Sequence, residues 1–103
     1  MFKESLLPKG AAEIMGAYSQ GIKVDLGNSE MIFVTGQIAQ DSHGNVVCDD
    51  IEGQTEYVFK CINDILKEGN SSLDDVVKTQ IFLTDINDFS KVSPIRNKYF
   101  AKS

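Results

Sequence analysis

The chain has 103 residues, which is the usual size of one domain and leaves little room for a second core. Hydrophobic residues make up 42% and charged residues 24%, so the composition is that of an ordinary globular protein and excludes a disordered or fibrous class. Fifteen acidic against ten basic residues give a formal net charge of −5. This balance disfavours a general phosphate-binding surface, and therefore nucleic acid as a partner.

The chain shows no sign of export or membrane insertion. Its N-terminal residues lack the long apolar run of a signal peptide, because Glu4 and Pro8 interrupt it. No apolar run approaches the ~20 residues that are needed to span a bilayer. Cys48 and Cys61 are too sparse for a secreted disulfide scaffold, and only His43 could join them in a metal site. The sequence thus predicts a cytoplasmic protein with free thiols and no metal.

The first half of the chain has the pattern of a β-hairpin. Residues 1–17 show no periodicity and are predicted to be irregular. Residues 19–26 alternate between apolar and polar side chains, which favours a strand, and the turn residues 27–30 follow them. Residues 31–35 are β-branched and aromatic, and are predicted to be the hairpin partner, buried on both faces. A further short strand is predicted at 46–47.

The second half has the pattern of helix, strand and helix. Apolar residues within 51–66 recur at helical spacing, and Gly69-Asn70 predicts the end of that helix. Residues 76–83 then predict a strand in a βαβ crossover with parallel pairing. Ser93 as N-cap and Pro94 at the first helical position would begin a short final helix. The predicted class is α+β, a sheet with helices on one face.

Four segments carry a resemblance to a known family: GAYSQG (16–21), FVTGQIAQD (33–41), SSLDDVVKTQIFLTDINDF (71–89) and YF (99–100). In this order they resemble the RidA/YjgF family, which is also described as endoribonuclease L-PSP. The resemblance implies a chorismate-mutase-like fold, a mixed six-stranded β-sheet with two helices packed on one face. It also implies a homotrimer with ligand sites in the clefts between subunits. Residues 1–103 would form a single domain of this family, with the C-terminal strands missing.

The resemblance implies four substrate-binding residues, Tyr18, Thr35, Gly36 and Ser93. Tyr18 matches a tyrosine that lines the cleft, where a phenol offers an apolar face and a hydroxyl. Thr35 and Gly36 match the floor of the site, and Ser93 stands where many active members carry asparagine. From the residues alone, other roles remain open: a core or interface tyrosine, a glycine that serves packing alone, and a helix cap at Ser93.

The catalytic residues of the family have no counterpart in the chain. The resemblance places an arginine that clamps the substrate carboxylate, a cysteine and a glutamate beyond Ser103. Arg96 is the only arginine and falls outside that motif, so it is interpreted as part of a solvated helix face. Without the last family strand, the strand at 76–83 would keep unpaired backbone groups, each costing ~1–3 kcal/mol. We therefore expect a chain that continues past Ser103, a neighbouring chain that covers the gap, or a sheet that closes directly.

Three functions follow from the resemblance and from its gaps. The first is a hydrolase that converts reactive 2-imino acids to 2-oxo acids and ammonia without a metal or cofactor. The second, motivated by the missing arginine, is a catalytically silent small-acid binder or trimeric scaffold. The third is an endoribonuclease, which the acidic balance and the lack of a histidine pair for general acid–base cleavage disfavour.

Overall fold

The computed structural model describes residues 2–9 and 19–100. The described strands are β1 (Phe2–Leu6), β2 (Gly21–Asp25) and β3 (Glu30–Val34), and the described α-helices are α1 (Ile51–Glu68) and α2 (Phe89–Tyr99). The strands form one sheet in the order β1-β2-β3, and both of its pairings are antiparallel. The sheet and the two helices confirm the predicted α+β class. None of these helices is long and apolar enough to cross a membrane.

The predicted hairpin is confirmed as β2 and β3. Their register runs from Gly21 opposite Val34 to Asp25 opposite Glu30. At the turn, the Gly27 N–H donates to the Asp25 carboxylate at 2.8 Å. Gly27 has a φ of +97°, a conformation that side chains disfavour, so glycine suits this position. Local turn chemistry therefore determines where the hairpin reverses.

Strand β1 shows that the prediction of an irregular segment at residues 1–17 is wrong for residues 2–6. It pairs with β2 from Phe2 opposite Asp25 to Leu6 opposite Gly21. The segment carries no clean alternation, and its partner lies some twenty residues away in the chain, so local pattern could not reveal it. Leu6 is buried, which shows that the strand contributes to the core.

Helix α1 covers one face of the sheet. A Cβ built on Gly21 would lie 2.6 Å from Ile65 Cγ2, so β2 and α1 approach closely at this point. A Cβ on Gly69, just after α1, would lie 2.7 Å from the Ile32 side chain of β3. Gly21 and Ile32 therefore lie on the helix-facing side of their strands.

The opposite side, which we call the open sheet face, consists by alternation of Ile22, Val24, Met31 and Phe33. Met31 is 48% exposed and Phe33 is 58% exposed. The prediction that β3 is buried on both faces is therefore wrong for the described chain, because α1 covers only one of them.

Helix α1 confirms the predicted long helix. The Asp50 side chain caps its N-terminus by accepting from the Gly53 N–H at 3.3 Å. Its buried side chains recur at helical spacing and face the core: Thr55, Phe59, Ile65 and Leu66. Asn70, with a φ of +62°, reverses the chain just beyond the helix, as the Gly69-Asn70 pair predicted.

The connection from β3 to α1 folds around Asp41. Its carboxylate accepts from the backbone N–H groups of His43 and Asn45, both at 2.9 Å, and these bonds lower the pKa of Asp41. The predicted strand at 46–47 is reduced to one isolated bridge between Gln40 and Val46. His43 lies in this turn and is exposed.

The segment 76–83 is the largest correction. It was predicted to be a strand in a parallel crossover, yet it forms no strand within the described residues. No backbone–backbone hydrogen bond joins residues 77–84 to any described residue. Val77 is 99% exposed and Phe82 is 87% exposed. A strand exists only by pairing, and no described strand lies beside this one.

Helix α2 begins earlier than predicted. It starts at Phe89 after a 3₁₀ turn over Ile86–Asp88, and Pro94 lies inside it. Ser93 is thus a residue of the helix and not its N-cap. Pro94 lacks an N–H, which removes one intrahelical hydrogen bond. Val92 of this helix is buried, and α2 packs on α1.

Helices α1 and α2 are joined by a cluster near the end of α2. The Phe59 ring stacks on the Tyr99 ring, with centroids 5.2 Å apart. The Glu56 carboxylate accepts from Lys98 Nζ and from the Tyr99 hydroxyl. The side-chain hydrogen bond from Lys98, followed by that from Tyr99, lowers the pKa of Glu56. We call these four residues the helix clamp.

Candidate functional site

The end of β3 carries two of the predicted site residues, Thr35 and Gly36. The Thr35 N–H donates to the Gln20 carbonyl at 3.1 Å, and the Thr35 hydroxyl donates to the same oxygen at 2.8 Å. Gln20 immediately precedes β2, so these bonds join the start of β2 to the end of β3. A hydroxyl has one proton, and that of Thr35 is used here. The Thr35 hydroxyl can therefore only accept a hydrogen bond from a ligand.

Gly36 has space around it. A Cβ built on this residue would meet no described atom within 4 Å, and Gly36 is exposed. Its N–H donates to no described residue. Packing among the described residues therefore does not require glycine here. What the arrangement offers is an accessible backbone donor with no side chain in front of it.

Gln37 completes this group, and the sequence analysis did not single it out. Its Nε2 lies 3.0 Å from Gln20 Oε1, 3.1 Å from the Thr35 carbonyl and 3.4 Å from Thr35 Oγ1. We call Gln20, Thr35, Gly36 and Gln37 the strand-end cluster. Gln20 and Gln37 both stand in the segments that carried the family resemblance, which was the available signal. Their pairing across the two strands could be seen only in the structure.

The other two predicted site residues do not join this cluster in the described structure. Tyr18 lies outside the described residues, two positions before Gln20. Ser93 lies in α2, where its hydroxyl accepts from the Arg96 guanidinium at 3.2 Å. No described hydrogen bond connects Ser93 with Thr35 or Gly36.

Arg96 is engaged within its own helix. Its guanidinium donates to Ser93 Oγ and to Asn97 Oδ1, and it lies 5.4 Å from the centroid of the Phe89 ring. A cation over an aromatic face and three hydrogen bonds, one to Ser93 and two to Asn97, hold the side chain along α2. The described strand-end cluster thus contains donors and acceptors but no positive charge.

The cysteines and acidic residues form no further centre. Cys48 is exposed and Cys61 is half-buried, and both are free thiols. Burial is the main cause that raises the pKa of the Cys61 thiol, which disfavours the reactive thiolate. In the part of the chain that the structure describes, no three His, Cys, Asp or Glu side chains could together hold a metal ion.

Comparison with known proteins identifies the family. The model of the family described as "Endoribonuclease L-PSP" matches residues 9–103. A RutC family protein of Pyrococcus abyssi is 44% identical over 104 residues, a match that covers 100% of this chain and 79% of the relative. The rat protein named 2-iminobutanoate/2-iminopropanoate deaminase is 38% identical over 91 residues, covering 87% of this chain and 64% of the relative.

The fold agrees with this assignment. A crystal structure from Yersinia pestis, described as a member of the conserved Rid protein family, superposes with a TM-score of 0.85 at 37% identity. That match covers 96% of this chain and 76% of the solved chain. An antiparallel sheet with α1 packed on one face and α2 packed on α1 defines a small α+β protein. The chain belongs to the RidA/YjgF family, also described as endoribonuclease L-PSP.

Proposed function

We propose that this protein hydrolyses reactive 2-imino acids to 2-oxo acids and ammonia. The observation that carries the proposal is the 38% identity with a rat protein named 2-iminobutanoate/2-iminopropanoate deaminase. That match covers 87% of this chain and 64% of the rat protein. The open Gly36 backbone, with its accessible N–H, is the local feature that supports a small-ligand site here.

The reaction needs few protein groups. Water adds to the imine carbon, the nitrogen takes up protons, and the C–N bond breaks to leave a 2-oxo acid and ammonia. Neither a metal nor an organic cofactor takes part in this balance. The Gly36 N–H is suited to donate to a substrate carboxylate oxygen, and a lone pair of Thr35 Oγ1 can accept from a substrate N–H or from water. Tyr18 is proposed to form another part of the cleft wall.

The protein is proposed to work as a homotrimer, because the open sheet face exposes apolar side chains. The exposed side chains are Met31 and Phe33, which in the register of the hairpin lie beside the half-buried Ile22 and the buried Val24. A contiguous apolar sheet face of this kind is typical of an interface. Two further copies would cover it and would place one subunit beside the strand-end cluster of the next. Free cysteines suit a reducing compartment, so we propose the cytoplasm as the location.

The trimer is tested by Phe33→Lys, which places a charge on the open sheet face. We expect a mass near three times 11.4 kDa for the unchanged protein and a shift towards 11.4 kDa for the variant, by light scattering after gel filtration. The matched control is Ile86→Lys, because Ile86 is 76% exposed but lies in the turn before α2. A monomeric unchanged protein, or equal dissociation of both variants, would contradict the proposal.

The activity is tested with 2-iminobutanoate generated in place by a threonine dehydratase. We expect the protein to accelerate 2-oxobutanoate formation above the spontaneous rate. Gly36→Val should reduce that acceleration, because the isopropyl group would occupy the open space before the backbone donor. Thr79→Val, at an exposed position in 76–83, should leave it unchanged. If the folded, oligomeric protein does not accelerate 2-oxobutanoate formation, the proposal is wrong.

A catalytically silent binder is the second candidate, and one observation favours it. The only guanidinium is held along α2 by Ser93, Asn97 and Phe89, so the described cluster has no cation to hold a carboxylate. A binder would take up 2-oxobutanoate without accelerating imine loss. Titration with 2-oxobutanoate, run beside the rate assay, separates the two functions.

A further inference from the structure

The peptide between Thr35 and Gly36 presents a different group on each of its two sides. The peptide is trans, so the Thr35 carbonyl and the Gly36 N–H point in opposite directions. The carbonyl accepts from Gln37 Nε2 at 3.1 Å, whereas Gly36 is exposed and its N–H donates to no described residue. The side of the peptide that faces away from Gln37 therefore carries the accessible donor of the strand-end cluster.

The Gln37 amide is itself held in one orientation. The Thr35 carbonyl oxygen can only accept a hydrogen bond, so the Gln37 group that faces it is the NH₂. The same NH₂ lies 3.0 Å from Gln20 Oε1, and Gln20 is only 6% exposed. Hydrogen bonds that are partly shielded from water are stronger than those at the surface. The Gln37 amide is thus anchored while it holds the Thr35 carbonyl.

Glycine at position 36 makes the reverse orientation of this peptide accessible. Rotation of the peptide plane by about half a turn would exchange the carbonyl and the N–H and would carry Gly36 from its negative φ to a positive φ. Glycine adopts both conformations readily, whereas alanine disfavours the second. In the described structure, the hydrogen bond from Gln37 to the Thr35 carbonyl selects the first orientation.

We infer that Gln37 is a positioning residue that locks the Thr35–Gly36 peptide with its N–H towards the ligand, so that the strand end binds an anionic oxygen. The reversed peptide would present a carbonyl oxygen, which repels a carboxylate and accepts from an N–H group instead. Because the described cluster holds no cation, the direction of this peptide decides whether a carboxylate can bind there. The inference rests on the proposed function, which assigns the carboxylate of a 2-imino acid to the Gly36 N–H.

The test uses two substitutions of Gln37 and one control. Gln37→Met keeps an unbranched side chain of similar length but removes both amide protons. Gln37→Glu keeps the shape but adds a carboxylate, which repels the Thr35 carbonyl and would accept from the Gly36 N–H of the reversed peptide. The control is Gln40→Met in the same loop, where the amide donates to the Gly44 carbonyl at 3.0 Å and not to the strand-end cluster. The thermal midpoint and oligomer mass of each variant establish that it is folded.

The first measurement follows the peptide itself and needs neither ligand nor activity. The nuclear Overhauser effect between Thr35 Hα and the Gly36 amide proton changes when the peptide plane rotates, because the rotation alters the distance between these protons. We expect both Gln37 variants to change this effect and Gln40→Met to leave it unaltered. Adding Gly36→Ala to Gln37→Met should restore the original effect, because alanine disfavours the positive φ. An unaltered effect in the folded Gln37 variants would overturn the lock.

The second measurement is the binding of 2-oxobutanoate by titration calorimetry. We expect Gln37→Met to raise Kd about tenfold or more, because only the fraction of protein with the N–H towards the ligand binds the carboxylate. In protein that already carries Gly36→Ala, the same substitution should raise Kd less than about twofold. Equal losses in the two backgrounds would show that Gln37 acts by packing alone and would overturn the inference.

The neutral analogue 2-oxobutanamide tests the choice of ligand. Its amide offers N–H groups in place of the carboxylate, so we expect Gln37→Met to bind it no more weakly than the unchanged protein does. The same loss of affinity for the amide as for 2-oxobutanoate would contradict selection by the direction of the peptide.

The lock and the proposed function fail in different ways. An unchanged protein that binds 2-oxobutanoate without accelerating imine loss would refute the deaminase, while the Gln37 variants would still decide the lock. An unchanged protein that does not bind 2-oxobutanoate would overturn the inferred selection of an anionic oxygen, whatever the Overhauser effect shows.

Discussion

Strand β3 and the segment 76–83 have similar residues and different structures. Residues 30–34 read EMIFV and residues 76–83 read VVKTQIFL, so both are rich in β-branched and aromatic side chains. The first pairs along its length with β2, whereas the second pairs with no described strand and exposes Val77 and Phe82. Both stretches therefore favour a β-strand, but only β3 has a neighbouring strand to pair with.

The difference follows from where each element finds its hydrogen-bond partners. A helix such as α1 satisfies most of its N–H and C=O groups within itself, so its sequence alone is sufficient to predict it. A strand must find its partners elsewhere in the chain or in another chain. β3 has β2 one turn away, and 76–83 has no described partner. The segment therefore joins α1 to α2 without contributing to the described sheet.

The largest effect on the free energy of unfolding is expected from a substitution where α1 packs on the paired strands. Ile65→Ala should lower the free energy of unfolding by about 2–5 kcal/mol, because it leaves a cavity where α1 meets Gly21. Val77→Ala should change it by less than about 0.5 kcal/mol, because the side chain is fully exposed. Urea unfolding of both variants checks the contrast. A large loss for Val77→Ala would show that 76–83 is packed in solution.

A second pair of variants sharpens the comparison at two glycines. Gly21→Ala should cost about 1–3 kcal/mol, because the new methyl would lie 2.6 Å from Ile65. Gly36→Ala should leave unfolding unchanged, because its methyl would meet no described atom within 4 Å. Thermal unfolding of the two variants measures both. Equal destabilisation would contradict the assignment of Gly36 to an open site.

The smallest expected effect concerns the helix clamp. This cluster joins α2 to α1, whereas the segment 76–83 only connects them along the chain. The pKa of Glu56 is lowered in the folded protein, so the stabilisation is present above its ordinary value of 4.5 and is lost as the pH falls through the folded pKa. We expect Glu56→Gln to lower the thermal midpoint slightly at pH 7 and to approach the unchanged protein at acidic pH. Asp74→Asn, in an exposed turn, is the control. A midpoint difference for Glu56→Gln that is independent of pH would argue against the clamp.

The sequence predicted the elements whose information is local. The alternation of β2, the turn at Gly27 and the helical spacing of α1 each lie within a short stretch of chain, and the structure confirms them. Strand β1 was missed because its pairing with β2 is distant in sequence. The start of α2 was misplaced because Pro94 suits a first helical position, whereas the helix begins at Phe89 and contains Pro94.

The candidate site was predictable in part. The family resemblance pointed to Thr35 and Gly36, and the structure places them together at an open strand end. The resemblance could not show that the Thr35 hydroxyl already donates its proton to the Gln20 carbonyl, or that Gln37 connects the two strands. Those facts depend on the register of β2 against β3. No local pattern in a single sequence contains that register.

A small-acid site at the end of β3 can be tested by titrating ¹⁵N-labelled protein with 2-oxobutanoate and following the backbone amide signals. We expect a saturable shift of the Gly36 signal and of its neighbours in the strand-end cluster, and none at Val77. Shifts confined to residues 76–83, or no shift at Gly36 at saturating acid, would contradict a small-acid site at the end of β3.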